Sequence, residues 1–343
     1  MFRVDLSASD LAEADALVAT LAEQYQSVEN PAFVREATVI AHELPRALRA
    51  GLLEFRLTEP HPLCVVGGYP IDDDRIGPTP AHWKDCGGEG RPTLAEDLFF
   101  YLCASLLGDP IAWSTQQDGR LLHDVFPIKE HQYEQLGSGS EELLTWHIED
   151  AFHPMRTDYV GLMCLRNPDG VNTTYGSLEG IDLPADIVEV LRQDRFPIRP
   201  DRSHLAANRQ NDEGDEQLRR LRDRSYEWIS GLDANPEPIA VLFGPQEDPY
   251  LRLDPYFMEV PAADPEAAAA LDTIVKAIDA NIAGYALKPG EVLFLDNYRG
   301  THGREPFTAR FDGTDRWLTR LNIARDLRKS RAHRRTANDR TIY

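Results

Sequence analysis

From Leu63 onward the chain is written as short β-rich apolar runs broken by turns, and these runs never alternate regularly with helices. No other feature constrains the fold as much, because a doubly wound parallel sheet needs strand, helix and strand in repeated succession. The runs are Leu63–Gly68, Leu143–His147, Tyr159–Arg166, Ile239–Phe243, Tyr250–Leu253, Glu291–Asp296 and Arg316–Ala324. Helical periodicity falls at Leu94–Leu107, Pro184–Gln193, Asp215–Ile229 and Pro265–Ile282, the last with Asp264 as N-cap and proline in the first helical position. Two further helical stretches come first. One opens on a capping box of Ser7 and Asp10 and carries Leu11, Leu17, Val18 and Leu21, and the other covers Pro31–Leu53. The expected architecture is mainly β with α, a barrel or jelly roll flanked by helices.

At 343 residues, one large β-type domain with helical insertions fits the length, and so do two domains. On the single-domain reading, residues 1–60 are a helical N-terminal layer, 61–325 the core with its insertions, and 326–343 a basic C-terminal tail. The polar run Asn208–Asp215 reads as a surface loop or lid, which places a lid near 200–215. The basic stretch from Arg325 to Arg340 reads as a solvated terminal segment rather than a binding arm.

A formal net charge of −21 repels phosphate backbones and anionic lipid, so nucleic acid and membrane surfaces are excluded as partners, while a small cationic substrate is attracted. Cys64, Cys86, Cys103 and Cys164 lack C-x-x-C spacing and read as reduced thiols. The N-terminus has no apolar signal-peptide core, and no stretch approaches the roughly 18 apolar residues of a membrane span, so a cytoplasmic protein is expected.

His147-Ile148-Glu149 sets two metal donors at i and i+2, which on a strand point to one face. With a distant third histidine they make a 2-His-1-carboxylate triad, a set that leaves metal positions open for other ligands. The triplet alone is at chance level: with 10 His and 57 acidic residues, roughly one to two His-x-acid matches are expected in a chain this long. A stronger signal lies downstream, where the apolar run Leu293–Leu295 leads into a polar segment presenting His302. Beyond it, strand periodicity puts Arg316, Leu318 and Arg320 on one face. Two such arginines are either solvent-exposed or matched to anions, and a guanidinium fork binds a carboxylate bidentately.

Two segments, Trp146–Pro154 and Asp296–Arg304 continued by Arg310–Arg320, resemble the clavaminate synthase-like branch of the 2-oxoglutarate oxygenases, in particular its free amino acid β-hydroxylases acting on arginine, lysine and asparagine. The likeness is strongest over Gly137–Tyr175 and Leu287–Ile323. It implies a distorted jelly roll, the double-stranded β-helix, flanked by helices. It also implies iron(II) held by His147, Glu149 and His302, with 2-oxoglutarate and dioxygen as cosubstrates. On this resemblance Arg316 grips the far carboxylate of 2-oxoglutarate, with Thr173 nearby. Arg320 takes the α-carboxylate of the amino acid, and Gln116, Ser138 and Ser140 help hold its head. Arg299, Arg304 and Arg310 compete for the cosubstrate role on proximity to His302, and the family match favours Arg316.

In the arginine-specific relatives an acidic pair at i, i+2 and a lid acid contact the guanidinium. Here Asp254 keeps the first acid, Tyr256 replaces the second, and Asp201 falls where the lid acid would be. The resemblance therefore implies hydroxylation of free arginine or a close guanidine analogue at Cβ, with Cγ as an alternative, in natural-product biosynthesis. Lysine, citrulline and asparagine hydroxylation, desaturation, a cyclised arginine such as enduracididine or capreomycidine as substrate, a zinc hydrolase and a non-enzymatic jelly-roll binding protein stay open. Halogenases of this superfamily lack the carboxylate that Glu149 supplies. His42, His61, His82, His123, His131, His153, His204 and His333 read as structural or exposed, with His153 at most a neighbour of the ligands.

Overall fold

The apolar runs pair into two sheets in the computed structural model, which describes residues 1–205 and 216–343. The paired strands are β1 (Phe2–Asp5), β2 (Leu63–Gly67), β3 (Asp109–Trp113), β4 (Leu122–Val125), β5 (Leu144–His147), β6 (Tyr159–Arg166), β7 (Thr173–Ser177), β8 (Ala283–Tyr285), β9 (Val292–Asp296), β10 (Gly300–Arg304), β11 (Trp317–Ala324) and β12 (Thr341–Ile342). The larger sheet has the order β1-β2-β9-β6-β11-β3-β12, with β4 also paired to β11. The smaller has the order β8-β7-β10-β5. Pairing is parallel only at the two outer edges of the larger sheet, β1 with β2 and β3 with β12. All other pairs in the two sheets are antiparallel, and helices cover the outer faces, so the fold is mixed α/β.

Side-chain alternation sorts the core into layers. Leu63 and Val65 of β2, Val160 and Leu162 of β6, Leu293 and Leu295 of β9 and Leu318 of β11 point toward the smaller sheet and meet Tyr175 and Tyr285. Their neighbours Cys64, Val66, Met163, Phe294, Leu321 and Ile323 point the other way, onto the helix Leu94–Leu107. That helix is buried on nearly all sides because Ala8–Gln24, Pro31–Ala41 and Arg46–Thr58 cover its far side. Gly161 permits this contact: a Cβ there would lie 2.9 Å from the Phe100 ring and 3.0 Å from that of Phe294. The helix Pro265–Asp279, capped by Asp264, buries Ala267, Ala270, Ile274 and Ile278 together with Trp146 and Ile148.

Several expectations are corrected. The chain opens on β1 before the capping-box helix, and the stretch Pro31–Leu53 is two helices. The break falls at Pro45, which has no N–H to donate inside a helix and instead precedes the second one. Ile239–Phe243 and Tyr250–Leu253 supply only two-residue pairings, Pro238–Ile239 with Phe196–Pro197 and Leu242–Phe243 with Tyr250–Leu251. The basic tail is docked at several points, while Arg328, Lys329, Arg331 and Arg335 stay exposed. Ile342 is buried against β3, His333 stacks on Trp228, and buried Arg334 donates to the carbonyls of Leu327, Ala337 and Asp339. Its positive charge serves to saturate the carbonyls of an irregular turn, which a charge count does not reveal. The lid run Asn208–Asp215 lies outside the described residues. All four cysteines are free and buried, and among the described residues no helix is long and apolar enough to cross a membrane.

Candidate active site

Antiparallel pairing of β5 with β10 sets His147 directly opposite His302, with ring centroids 4.7 Å apart. β5 ends at His147, so Glu149 is delivered by the turn that follows rather than by strand alternation. Buried Asn297 shapes that turn, accepting from the Glu149 N–H at 2.8 Å and donating to the Glu149 carbonyl at 3.0 Å. The turn then passes through Asp150, whose φ of 50° is in the left-handed region, tolerated best by glycine and next by Asn and Asp. The outcome is a Glu149 Oε2 3.3 Å from His302 Nε2 and 3.7 Å from His147 Nε2.

One donor atom from each of the three residues lies within 4.8 Å of the others, the spread a first-row metal ion spans with nitrogen and carboxylate ligands. The Thr145 carbonyl accepts from His147 Nδ1 at 2.9 Å, which leaves Nε2 with its lone pair toward the other donors. Burial alone would raise the Glu149 pKa. Arg320, His147 and His302 outweigh it and hold the carboxyl well below the usual range. Burial disfavours charge on both imidazoles; Glu149 and Asp254 nevertheless push His147 up to about 9, whereas burial and the His147 charge keep His302 low.

The cavity beside this triad is lined by Thr173, Arg304 and Arg316, and by Gln116, His123 and Arg320. Arg316 Nη2 donates to Thr173 Oγ1 at 3.1 Å, and its Nε has no partner among the described residues. Burial with no carboxylate beside it pushes the guanidinium down to about 10. The three competing arginines are engaged elsewhere. Arg299 pairs with Asp248 and Glu59, Arg310 with Asp169, and Arg304 with the carbonyls of Ser140, Glu142 and Glu305.

Arg320 donates to Glu149 Oε1, to Gln116 Oε1 at 3.0 Å and toward His123 Nδ1 at 2.8 Å. Asp254, Asp201 and Tyr256 line the same cavity. Asp254 is buried, which pushes its carboxyl up to about 6 against the pull of the His147 charge, while Tyr256 is 47% exposed at the rim. Ser138 lines the cavity and its hydroxyl meets His131 Nδ1 at 2.7 Å. Ser140 does not line it: its hydroxyl is buried without a partner among the described residues, and its carbonyl accepts from Arg304.

His123, read from sequence as structural or exposed, lines the cavity, whereas His204 is structural as read. His123 faces the cavity because the β4/β11 register sets it opposite Arg320, a relation no local pattern reveals. His204 is fully buried, 2.8 Å from Asp150 and 2.7 Å from Thr115 Oγ1. Asp150 and Asn297 both sat inside the matching segments, adjacent to Glu149 and Asp296, but only the fold shows their work. His153 sits between Trp113 and Trp228, tilted to the first ring and edge-on to the second.

Residues 103–322 match the taurine catabolism dioxygenase TauD, TfdA family. The chain belongs to that family. It is 50% identical over 345 residues to an enduracididine beta-hydroxylase of Streptomyces hygroscopicus and 45% identical over 344 residues to an L-ornithine/L-arginine 3-hydroxylase of Catenulispora acidiphila, covering 100% of each chain in both comparisons. The crystal structure of the non-heme iron oxygenase OrfP in complex with Fe, succinate and (3S)-hydroxy-L-Arg superposes on this dioxygenase with a TM-score of 0.92, at 41% identity, over 99% of each chain. OrfP has also been solved with Fe and alpha-ketoglutaric acid.

Proposed function

We infer that this dioxygenase family member is an iron(II)- and 2-oxoglutarate-dependent hydroxylase of a free basic L-amino acid, arginine or a close guanidine analogue, acting at Cβ or the adjacent Cγ in natural-product biosynthesis. The observation that carries this is the make-up of one cavity: the guanidiniums of Arg316 and Arg320, the His147, Glu149 and His302 donor set, and the carboxylates of Asp254 and Asp201 all line it. Such a cavity fits a molecule with a carboxylate head and a cationic tail. The relatives named for enduracididine, ornithine and arginine bracket the same substrate chemistry. The two facing sheets support a single oxygenase domain built on a distorted jelly roll, the double-stranded β-helix.

His147, Glu149 and His302 hold the metal. Bound iron(II), with 2-oxoglutarate and dioxygen, supplies the oxidising chemistry that replaces a C–H bond by C–OH while 2-oxoglutarate becomes succinate and carbon dioxide. Arg316, backed by Thr173, receives the distal carboxylate of the cosubstrate, because among the arginines near His302 it alone lacks a carboxylate or a set of carbonyls to satisfy it among the described residues. Arg320 receives the substrate α-carboxylate, with Gln116 and His123 fixing the plane of its guanidinium and Ser138 on the wall beside it. Asp254 and Asp201 take the cationic end, and the half-exposed Tyr256 ring flanks it. Fixing the substrate at both ends decides which carbon faces the metal.

A panel of free amino acids, assayed with iron(II) and 2-oxoglutarate, tests this directly. Gain of one oxygen atom by arginine or a guanidine analogue, matched by succinate and blocked by N-oxalylglycine, is expected. Reaction only of peptide-bound or carrier-bound residues would remove the role given to Arg320, and absence of succinate would remove the oxygenase reading.

A further inference from the structure

The segment that carries Asp201 into the cavity is short, and its last backbone pairing lies before it, where Ile198 faces Met258 and the Arg199 N–H donates to the Phe257 carbonyl. Asp201 caps a single 3-10 turn, Arg202–His204, by accepting from the Ser203 N–H at 2.8 Å. A turn of this length cannot hold its own place, since it closes too few backbone bonds to offset the entropy of fixing it. Side chains tie it down instead. Ser203 Oγ accepts from Gln116 Nε2 at 2.7 Å, and the same Gln116 presents its carbonyl to Arg320. His204 goes deeper: with no exposed surface, its ring sits edge-on to Trp113 and Phe152, Nε2 lies 2.8 Å from Asp150 Oδ1, and Nδ1 lies 2.7 Å from Thr115 Oγ1.

Asp150 is held in turn by the indole N–H of Trp113, and its backbone is the residue after Glu149. One imidazole therefore joins the turn bearing Asp201 to the turn bearing Glu149, while its neighbour Ser203 joins the same turn to the Gln116 and Arg320 pair. Nε2 faces the Asp150 carboxylate and Nδ1 faces the Thr115 hydroxyl, so each ring nitrogen has a partner. Gln116 Nε2 also lies 3.0 Å from His204 Nε2, and the Gln116 amide is further held by Ser203 on one side and Arg320 on the other.

We propose that His204 is a positioning residue for the hydroxylation: it locks the Asp201 turn onto Asp150, so that the group meeting the substrate's cationic end and the groups meeting its carboxylate are set by one buried side chain. The inference rests on the substrate reading given above. It places the control of substrate geometry in a residue that touches neither substrate nor metal. Removing the imidazole leaves Asp150 Oδ1 and the Thr115 hydroxyl buried without their partner and frees the turn, and the substrate then samples orientations in which oxidation is not delivered to it.

The test compares the wild type, His204→Ala and His204→Gln, the last keeping an N–H donor for Asp150. With L-arginine as the probe, His204→Ala is expected to raise KM by about tenfold or more, the size expected from leaving one buried hydrogen-bonded partner unmatched. Succinate should then form in excess over hydroxylated product, whereas the wild type makes them in equal amounts. His204→Gln should recover part of both. Amide exchange over residues 201–205 should also quicken in His204→Ala without any ligand, and this arm needs no substrate. Unchanged KM, unchanged ratio of succinate to product and unchanged exchange would overturn the proposal. So would a loss confined to kcat and melting temperature, since that is what a purely structural role gives. If His204→Ala does not fold, His204→Gln carries the same three readouts. A wild type that neither binds nor oxidises arginine would instead refute the substrate reading, and the exchange arm would still decide the role of His204.

Discussion

At the scale of single residues, the burial of Arg316 decides more than its position in the chain. A guanidinium with one hydroxyl partner and no carboxylate is costly to bury, and that cost is the reason its pKa falls to about 10. Replacing it by methionine should therefore leave the cosubstrate-free protein as stable as the wild type or more so, with a melting temperature that does not fall. The same variant should weaken 2-oxoglutarate binding by about two orders of magnitude, the scale of removing one partner from a buried charge pair. Calorimetry of the wild type and this variant with and without 2-oxoglutarate checks the two signs together. Asp254 gives a second prediction. Its carboxyl is pushed up to about 6 by burial, and a bound guanidinium stabilises only the ionised form, so affinity for arginine is present above pH 6 and is lost as pH falls through it. KM for arginine should be about tenfold higher at pH 5 than at pH 7, and Asp254→Asn should have a high KM that no longer changes over that range. At this scale the sequence pointed to the metal triad and both arginines through long matching segments. It could not separate Arg316 from Arg299, Arg304 and Arg310 without the family match, because which arginine already has partners is a property of the fold.

At the scale of elements, strands of uninterrupted apolar character were legible. Tyr159–Arg166 forms with the bounds read from its pattern, and the helix from Pro265 starts where Asp264 and the proline place it. What was not legible depends on partners far away in sequence. β1 has only four residues and exists because β2 lies beside it, and β12 has only two and exists because β3 does. His123 escaped notice for the same reason, since it becomes a site residue only through the β4/β11 register. The docked tail makes this distinction measurable. A solvated tail would tolerate any substitution, whereas buried Ile342 packs with Ile111 and Trp113 of β3. Ile342→Ala is expected to cost about 2–4 kcal/mol, read as a lower urea midpoint at unchanged slope. Trp113 also holds Asp150 through its indole N–H, so the variant should bind iron(II) more weakly as well, which dialysis against a chelator series would report.

At the scale of the whole molecule, a net charge of −21 surrounds a cavity whose walls carry Arg304, Arg316 and Arg320. The far field and the local site therefore act with opposite signs. Approach from bulk solvent is governed by the summed negative charge, which draws a cationic amino acid side chain inward and repels the 2-oxoglutarate dianion, while final capture is governed by the buried guanidiniums and carboxylates. Salt separates the two, because added ions screen the long-range field over about 10 Å at 0.1 M ionic strength and over about 30 Å at 0.01 M, but reach the buried contacts far less. Raising ionic strength from about 0.01 to about 0.1 M should lower kcat/KM for arginine by at least about threefold. The same change should leave kcat/KM for a neutral analogue such as citrulline nearly constant and raise that for 2-oxoglutarate. Initial rates with each substrate varied in turn at fixed saturating levels of the other give all three slopes. Slopes of one sign for arginine and 2-oxoglutarate would mean that capture inside the cavity, rather than the charge of the molecule around it, limits both encounters.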